Sequence, residues 1–279
     1  MKNVTLLLIG IVGVCAAQNQ QRIITAGSAM TEIVCALGDC DKIVGSDRTS
    51  LYPAEIQKLP SIGYRSGINA EGILSLKPTM VIVEKDYVEL AVLQQLAGTS
   101  VKVITVDHEL SLDGTRKAIT QIAVGLNRGE EGKKLIASIE RDIDEAKSML
   151  AKAKSTPKVA CIFNRGSSTV SVGGKGTFAE ILEFVGAKNA FNGIEGYKPL
   201  STEALISVDP EYVLMVTSGF ESLGGMEGVL KLPGIALTTA GKKKQIIAME
   251  SLKLTNFGPR LGEAVKELVV KLHPELATK

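Results

Sequence analysis

The sequence has no tryptophan, two histidines and four cysteines, and only 4% of its 279 residues are aromatic. A histidine-rich zinc or iron site is hard to build from so few ligands, because such sites usually use roughly three or four nitrogen or sulfur atoms. The charges nearly cancel, with 32 basic and 30 acidic residues. No stretch combines basic with aromatic side chains, so the electrostatic pattern of a nucleic-acid-binding protein is missing and no nucleic-acid partner is expected.

The chain also lacks an apolar run of about 20 residues, the length that a membrane-spanning helix needs. Its N-terminal run covers residues 4–14, which is 11 residues, and follows a short basic start. This pattern is typical of a signal peptide, and the small residues that follow predict cleavage after Ala17. We therefore expect a signal peptide over residues 1–17 and export of the protein, with lipid attachment at Cys15 as the competing interpretation.

Motifs of catalysis are missing as well. Residues 172–177 are rich in glycine, but Lys175 precedes another glycine, where a phosphate-binding loop needs serine or threonine. No dinucleotide fingerprint follows the first strand and no serine-nucleophile motif occurs. The two histidines, His108 and His273, are interpreted as surface or helix-cap residues. Together with export, these absences favour a binding protein over an enzyme.

Cysteine usage leaves two alternatives open. Cys35 and Cys40 lie five residues apart, on either side of Gly38, where a helix is predicted to end. In an export compartment the pair can form a disulfide, and two buried thiols are the equal alternative.

The sequence contains one pattern twice. Residues 71–83 align without a gap with residues 203–215, and both segments read as glutamate, an apolar turn, serine, proline and a buried strand. Residues 32–38 align with residues 180–186, each an amphipathic helix end followed by a glycine that can take the left-handed capping conformation. The offsets of 132 and 148 residues indicate one architecture used twice with different loop lengths.

Short β-branched runs alternate with helical patterns in both halves, which is typical of parallel sheets covered on both faces. The strands are predicted at residues 22–25, 42–45, 80–83, 101–106, 158–163, 212–216 and 245–249. Between the halves, apolar residues spaced three or four apart predict one long helix over residues 130–154. We therefore expect an α/β protein with a first lobe at 18–127, a connecting helix at 128–156, a second lobe at 157–279, and one ligand cleft between the lobes.

Several segments resemble a known family. VGSDRTS at 44–50, LPSIGY at 59–64 and AEGILSLKP at 70–78 are similar to the first lobe of the periplasmic haem-binding proteins that serve bacterial haem-import ABC transporters. Residues 173–177, 196–203, 232–235 and FGPRL at 257–261 are similar to motifs of the second lobe. The resemblance implies two Rossmann-like lobes joined by one α-helix. It also implies a periplasmic, monomeric carrier that delivers haem to an ABC permease and its ATPase at the inner membrane.

The resemblance further implies that ferric haem b lies between the lobes with Tyr64 as the axial iron ligand. Tyrosinate is a known axial haem ligand, and both ferric iron and a nearby guanidinium favour the phenolate. In the family, the arginine that hydrogen-bonds the tyrosine tends to lie two residues after it. Here Arg65 follows directly and Ser66 takes the second position, which directs Arg65 toward a haem propionate rather than the phenol oxygen.

Other contacts with haem follow from the same resemblance. Arg165 and Lys175 are expected near the propionates, with solvated surface cations as the alternative. The stretch in which some relatives carry a histidine, residues 164–168, has none here, so five-coordinate iron or a water as sixth ligand is expected. Met30 is expected in the aliphatic wall of the cleft.

Glu71 and Glu203 occupy equivalent positions in the repeated pattern. An acid at a helix start is locally favourable in any protein. The resemblance implies a second role, in which one acid per lobe contacts arginines of the permease. Two alternatives to a haem carrier remain open: the same fold binding a corrinoid or a ferric siderophore, and an exported enzyme of Rossmann type.

Overall fold

Two β-sheets organise the chain, and the computed structural model describes them over residues 21–165 and 169–276, without the side chains of residues 165 and 169. The strands are β1 (Ile23–Ala26), β2 (Ile43–Ser46), β3 (Met80–Glu84), β4 (Lys102–Val106), β5 (Lys158–Arg165), β6 (Thr169–Gly173), β7 (Lys188–Asn189), β8 (Tyr197–Pro199), β9 (Tyr212–Val216) and β10 (Ile246–Met249). The α-helices are α1 (Ser28–Val34), α2 (Ala70–Ser75), α3 (Leu90–Ala97), α4 (Leu112–Leu126), α5 (Gly129–Leu150), α6 (Thr202–Val208), α7 (Thr217–Ser222), α8 (Gly225–Leu230), α9 (Thr239–Lys242), α10 (Ser251–Thr255) and α11 (Leu261–Leu272). Tight 3-10 turns include Arg65–Gly67 and Phe178–Val185.

The first sheet is fully parallel and has the strand order β2-β1-β3-β4. Its strands consist largely of isoleucine and valine, and all four residues of β1 are buried. Burial on both faces explains why these strands read as continuous apolar runs in the sequence. Because β2 and β3 lie on opposite sides of β1, the chain direction across the sheet switches there. In open parallel sheets, ligands bind outside the carboxyl ends of the strands at such a switch point.

The second sheet is mixed, with the order β10-β9-β5-β6-β8 and β7 paired to β5. Strands β5, β9 and β10 are parallel, as predicted, and so is the two-residue β7, which was not predicted, whereas β6 and β8 are antiparallel to their neighbours. The parallel prediction is therefore incomplete for this lobe. An antiparallel strand needs only a short connection, and β6 follows β5 after three residues, so no helix separates these two strands.

One long helix, α5, connects the lobes. It begins one residue before the predicted start at 130 and ends four residues before the predicted end at 154. Its buried residues include Ile139, Ile143 and Ala146, which face α4 and α11. Residues 151–156 contain no large apolar side chain, so nothing there would pack another helical turn against the body. At 22 residues, the helix is about 33 Å long.

The repeated sequence pattern corresponds to a structural unit, a helix followed by a strand, that occurs in both lobes. The segment α2 to β3 and the segment α6 to β9 share the offset of 132 residues. Asn69 caps α2 by accepting a hydrogen bond from the Gly72 amide, and Ser201 caps α6 in the same way from the Ala204 amide. In the second aligned pair, Gly38 and Gly186 both take positive φ angles, 90° and 62°, as predicted for capping glycines.

A buried ion pair joins the lobes. Glu32 on α1 is 3% exposed, and both its carboxylate oxygens accept hydrogen bonds from Arg260, at 2.9 and 2.8 Å. Asn256 Nδ2 donates to the same carboxylate at 2.9 Å. The Phe257 carbonyl accepts a hydrogen bond from Thr115 on α4 at 2.6 Å. Residues 256–260, which carry part of the resemblance, therefore tie the second lobe to the first.

Both histidines are more buried than the sequence suggests. The His108 side chain is 2% exposed, and its Nε2 lies 3.0 Å from the Phe257 carbonyl, which can only accept. His273 is fully buried after α11 and contacts the Val185 carbonyl at 3.0 Å. The interpretation as surface residues is wrong for both, while His273 does occupy the C-cap of α11. Each imidazole lies against a backbone carbonyl, which periodicity cannot reveal.

Of the two alternatives for Cys35 and Cys40, the structure has the disulfide. Cys161 is a buried free thiol, and burial raises its pKa. No helix in the described part of the chain combines the length and apolarity required to cross a membrane. The predicted signal peptide and the competing lipid site at Cys15 lie outside the described residues.

Removing Arg260 would leave the Glu32 carboxylate buried without its counter-ion. We expect Arg260→Ala to lower the free energy of unfolding by roughly 3 kcal/mol, as is usual for breaking a buried pair. Urea denaturation measures this loss. Lys117→Ala is the control, because the Lys117–Asp113 pair is more than 60% exposed on both sides and its loss should change stability little. Equal losses in both variants would contradict the buried pair's role.

Candidate ligand-binding site

The candidate site lies at the carboxyl ends of β1, β2 and β3, where the first sheet switches direction. Gly27 directly follows β1, and Asp47 directly follows β2. The Gly27 amide donates a hydrogen bond to Asp47 Oδ1 at 3.0 Å. Gly27 has φ 106°, and a Cβ there would lie 2.8 Å from Glu84 Oε2 at the end of β3. The three strand ends are thus close enough that only glycine fits between them.

Backbone hydrogen bonds bring Tyr64 to this edge. The Ile62 amide donates to the Ser46 carbonyl at 2.9 Å, and the Arg48 amide donates to the Gly63 carbonyl at 2.8 Å. The loop before Tyr64 therefore runs alongside the end of β2. Tyr64 is 38% exposed, and none of the hydrogen bonds described for residues 21–165 and 169–276 involves its hydroxyl. Its phenol oxygen is therefore available to a ligand.

Arg65 contacts two tyrosine rings. Its guanidinium carbon lies 5.8 Å from the centroid of the Tyr64 ring and 4.8 Å from that of Tyr87. The two rings meet edge to face, with centroids 6.4 Å apart. Arg65 has φ 44°, in the left-handed region, and this turn directs its side chain back over the rings. The arginine next to Tyr64 in sequence therefore still places a positive charge beside it.

Asp47 is the buried acceptor beneath this cluster. It is 2% exposed and accepts hydrogen bonds from the Thr49 amide at 2.8 Å, Ser50 Oγ at 2.7 Å and Tyr87 Oη at 2.5 Å. The Ser50 hydroxyl also bonds Thr31 Oγ1, at 2.6 Å. Because so many donors face it, the carboxylate is satisfied without a basic partner.

The two clustered tyrosines differ in their availability. Burial and the hydrogen bond to Asp47 both raise the pKa of Tyr87, which is 7% exposed. Tyr87 is therefore a neutral phenol at physiological pH. Of these two tyrosines, Tyr64 is the more exposed, and its hydroxyl has no hydrogen bond among those described for residues 21–165 and 169–276.

The second lobe contributes less to the described site. Arg165 is the last residue of β5, the central strand of the second sheet, and its side chain is not described. Lys175 follows the far end of the antiparallel β6, is exposed, and its backbone pairs with Ile194 and Gly196. That position favours a solvated surface cation over a partner of the propionates.

Met30 of the first lobe is 0% exposed, so its expected place in the cleft wall is wrong: α1 turns this residue into the core.

Glu71 and Glu203 are both exposed in the first turns of α2 and α6, at equivalent positions. A hydrogen bond from its own backbone amide and one from the Ser201 hydroxyl lower the pKa of Glu203. Local helix capping accounts for these contacts, and both carboxylates remain accessible to a partner.

Two residues of the site were missed from the sequence. Asp47 appeared only within the VGSDRTS segment at 44–50, and Tyr87 was not singled out. The signal for Asp47 is an acid directly after a buried strand. Tyr87 gives no such signal, because its contact with Asp47 spans 40 residues of sequence.

Two lobes with central parallel strands, one connecting helix and a crevice at the strand ends define a ligand-binding protein of the two-lobed transport class. The sequence profile of the family described as "Periplasmic binding protein" matches residues 23–252. The chain therefore belongs to this family.

Similar proteins agree with this class. The periplasmic heme-binding protein RhuT from Roseiflexus sp. RS-1, solved in apo form, has 34% identity and a TM-score of 0.87, with 92% of this chain and 99% of that chain covered. An uncharacterized ABC transporter substrate-binding lipoprotein, YvrC of Bacillus subtilis, is 27% identical over 91% of this chain and 81% of its own length. A vitamin B12-binding protein of Pectobacterium atrosepticum is 25% identical over 70% and 71%.

These comparisons confirm the resemblance seen in the sequence. They also confirm the expectation of a binding protein rather than an enzyme, because the relatives are substrate-binding proteins of transporters. The chain is a substrate-binding protein of the ABC-transporter type.

The hydrogen bond between Tyr87 and Asp47 predicts a pH dependence. The folded chain keeps the Tyr87 proton above pH 10, whereas an unfolded chain loses it near pH 10. The stabilisation of the folded chain by this hydrogen bond is therefore complete below about pH 10 and is lost as the pH rises toward the raised pKa of Tyr87. We expect the free energy of unfolding, from urea denaturation at stepped pH, to fall less steeply above about pH 10 in Tyr87→Phe. Parallel curves for the two proteins would contradict this assignment.

Proposed function

We propose that this protein is a monomeric periplasmic carrier that binds ferric haem b in the cleft between lobes 18–127 and 157–279, on either side of a connecting helix at 128–156. It then delivers the haem to an ABC permease and its ATPase at the inner membrane. The observation that carries the proposal is Tyr64, a half-exposed phenol at the switch point of the first sheet with a guanidinium beside it. The structural likeness to RhuT, whose name states haem binding, supports the same ligand.

The residues present fit ferric haem. A tyrosine oxygen binds ferric iron as the phenolate, so Tyr64 must lose its proton when haem arrives. The guanidinium of Arg65 lies 5.8 Å from the centroid of the Tyr64 ring, which puts a positive charge beside the oxygen that would bind iron. Arg165 remains the proposed propionate partner from the second lobe. With no histidine at 164–168, the iron is five-coordinate or takes water as its sixth ligand.

A corrinoid is the second candidate ligand. The likeness to vitamin B12-binding proteins supports it, since one of them covers 70% of this chain. A ferric siderophore would fit the same class of fold. Neither of these ligands requires a phenolate bond from Tyr64, so the role of this one oxygen separates haem from both.

The acids Glu71 and Glu203 are the proposed contacts with the permease. Both project from the first turn of a short helix, one in each lobe, and the repeat places them equivalently. A two-lobed carrier with one acid per lobe matches a channel built of two similar halves.

Haemin titration tests the ligand and its bond. We expect haemin to give a sharp Soret band with tyrosinate charge-transfer features in the wild-type protein. Tyr64→Phe should abolish those features and weaken binding at least about tenfold, which corresponds to about 1.4 kcal/mol. Tyr52→Phe is the matched control, because it removes one hydroxyl from another half-exposed tyrosine of the same lobe. Tight binding of cyanocobalamin or a ferric siderophore, with no haem spectrum, would replace the haem assignment by the second candidate.

Charge reversal tests the docking acids. We expect Glu71→Lys combined with Glu203→Lys to abolish stimulation of the importer's ATPase in proteoliposomes while haem affinity stays unchanged, because both side chains lie outside the candidate site. Asp113→Lys is the control, as it reverses an exposed acid in the first turn of α4. Full stimulation by the double variant would show that the two acids only stabilise their helices.

A further inference from the structure

We propose that Tyr87 is a positioning residue for haem binding: its ring holds the guanidinium of Arg65 beside the phenol of Tyr64. This inference rests on the function proposed above and assigns a role to a residue that makes no contact with the iron. It also assigns a role to Asp47 in the VGSDRTS segment at 44–50, because this carboxylate accepts a hydrogen bond from the Tyr87 hydroxyl.

Tyr87 is fixed in place from several sides. Its hydroxyl donates to Asp47 Oδ2 at 2.5 Å, and its amide donates to the Glu84 carbonyl at the end of β3 at 3.1 Å. Asp47 is in turn bonded by the Gly27 amide after β1, at 3.0 Å. The ring of Tyr87 is therefore held through hydrogen bonds to groups that follow three neighbouring strands.

Among the hydrogen bonds and ion pairs of residues 21–165 and 169–276, none involves the Arg65 guanidinium. Arg65 is exposed, it lies in a tight 3-10 turn, and an arginine side chain loses considerable rotamer freedom when it is ordered. The closest ring to its guanidinium carbon is that of Tyr87, at 4.8 Å against 5.8 Å for Tyr64. A cation over an aromatic ring within about 6 Å is attracted to it. Tyr87 thus holds the positive charge of the Arg65 guanidinium close enough to Tyr64 to act on its phenol.

The arrangement separates two functions between adjacent tyrosines. The Tyr87 hydroxyl is hydrogen-bonded to Asp47 and Thr49 beneath the cluster, so it is not available to iron. Tyr64 is more exposed, at 38% against 7%, and lies beside the restrained guanidinium. Without the Tyr87 ring, Arg65 would extend into water, and the phenolate–iron bond would lose the nearby positive charge.

A double-mutant cycle on the haem-loaded mature protein tests this role, with haem loss to an excess of apomyoglobin as the rate measured. Tyr87→Leu removes the ring and should speed haem loss roughly tenfold, in the range expected for a cation–π contact. Tyr87→Phe keeps the ring, loses only the bond to Asp47, and should give roughly a threefold increase. Arg65→Gln removes an exposed charge without risk to the fold and should match Tyr87→Leu. In the Arg65→Gln background, both Tyr87 variants should have no further effect, since their action passes through Arg65.

A merely structural role for Tyr87 gives a different result. The increases would then be the same in the Arg65→Gln background as in the wild type, and that outcome overturns the proposal. Wild-type rates in Arg65→Gln overturn it as well, even if Tyr87→Leu does not fold. Failure of the proposed function is seen separately: the wild-type protein would give no Soret band with haemin, or Tyr64→Phe would keep the wild-type haem spectrum. Loss of that spectrum in Tyr64→Phe, with unchanged rates in the Tyr87 variants, would remove only the positioning role.

Discussion

The candidate site depends on one buried carboxylate. Asp47 lies at the carboxyl end of β2 and accepts hydrogen bonds from groups that follow β1, β2 and β3. An unpaired charge in this position would cost several kcal/mol, so the loops must stay where their donors reach it. The geometry of Tyr64, Arg65 and Tyr87 follows from that requirement, because Tyr87 bonds Asp47 directly and contacts the other two.

A second buried acid, Glu32, has the corresponding role between the lobes. Its partners Arg260 and Asn256 belong to the second lobe, and α1, which carries it, begins directly after β1. The same short stretch of chain therefore leads from the ligand-facing loop at Gly27 to the junction of the lobes. Ser28 reinforces the connection through a hydrogen bond of 2.8 Å to Asn256. Helix α1 therefore contacts both regions, through Thr31 to Ser50 beside the site and through Glu32 to Arg260 at the junction of the lobes.

Much of the fold could be predicted from the sequence because it is encoded locally. Periodicity located seven strands to within a residue or two and the long helix α5, and the repeated pattern revealed the two similar lobes. The antiparallel β6 and β8 were missed because β6 follows β5 without an intervening helix and β8 is only three residues long. In the site, the availability of Tyr64 could be expected, but the burial of Met30 and His108 could not. These depend on contacts between distant segments, such as His108 with Phe257, 149 residues apart, which no local pattern records.

The resemblance raised the question of how Arg65 could act on Tyr64 from the next position in the chain. Adjacent residues usually point apart, yet a left-handed φ of 44° at Arg65 and 106° at Gly63 reverses the chain around Tyr64. Such a conformation costs a non-glycine residue roughly 1 kcal/mol, so it persists only when other contacts compensate. The Tyr87 ring supplies one such contact. The backbone conformation at Gly63 and Arg65 thus brings the guanidinium within 5.8 Å of the Tyr64 ring, although the two residues are adjacent in the chain.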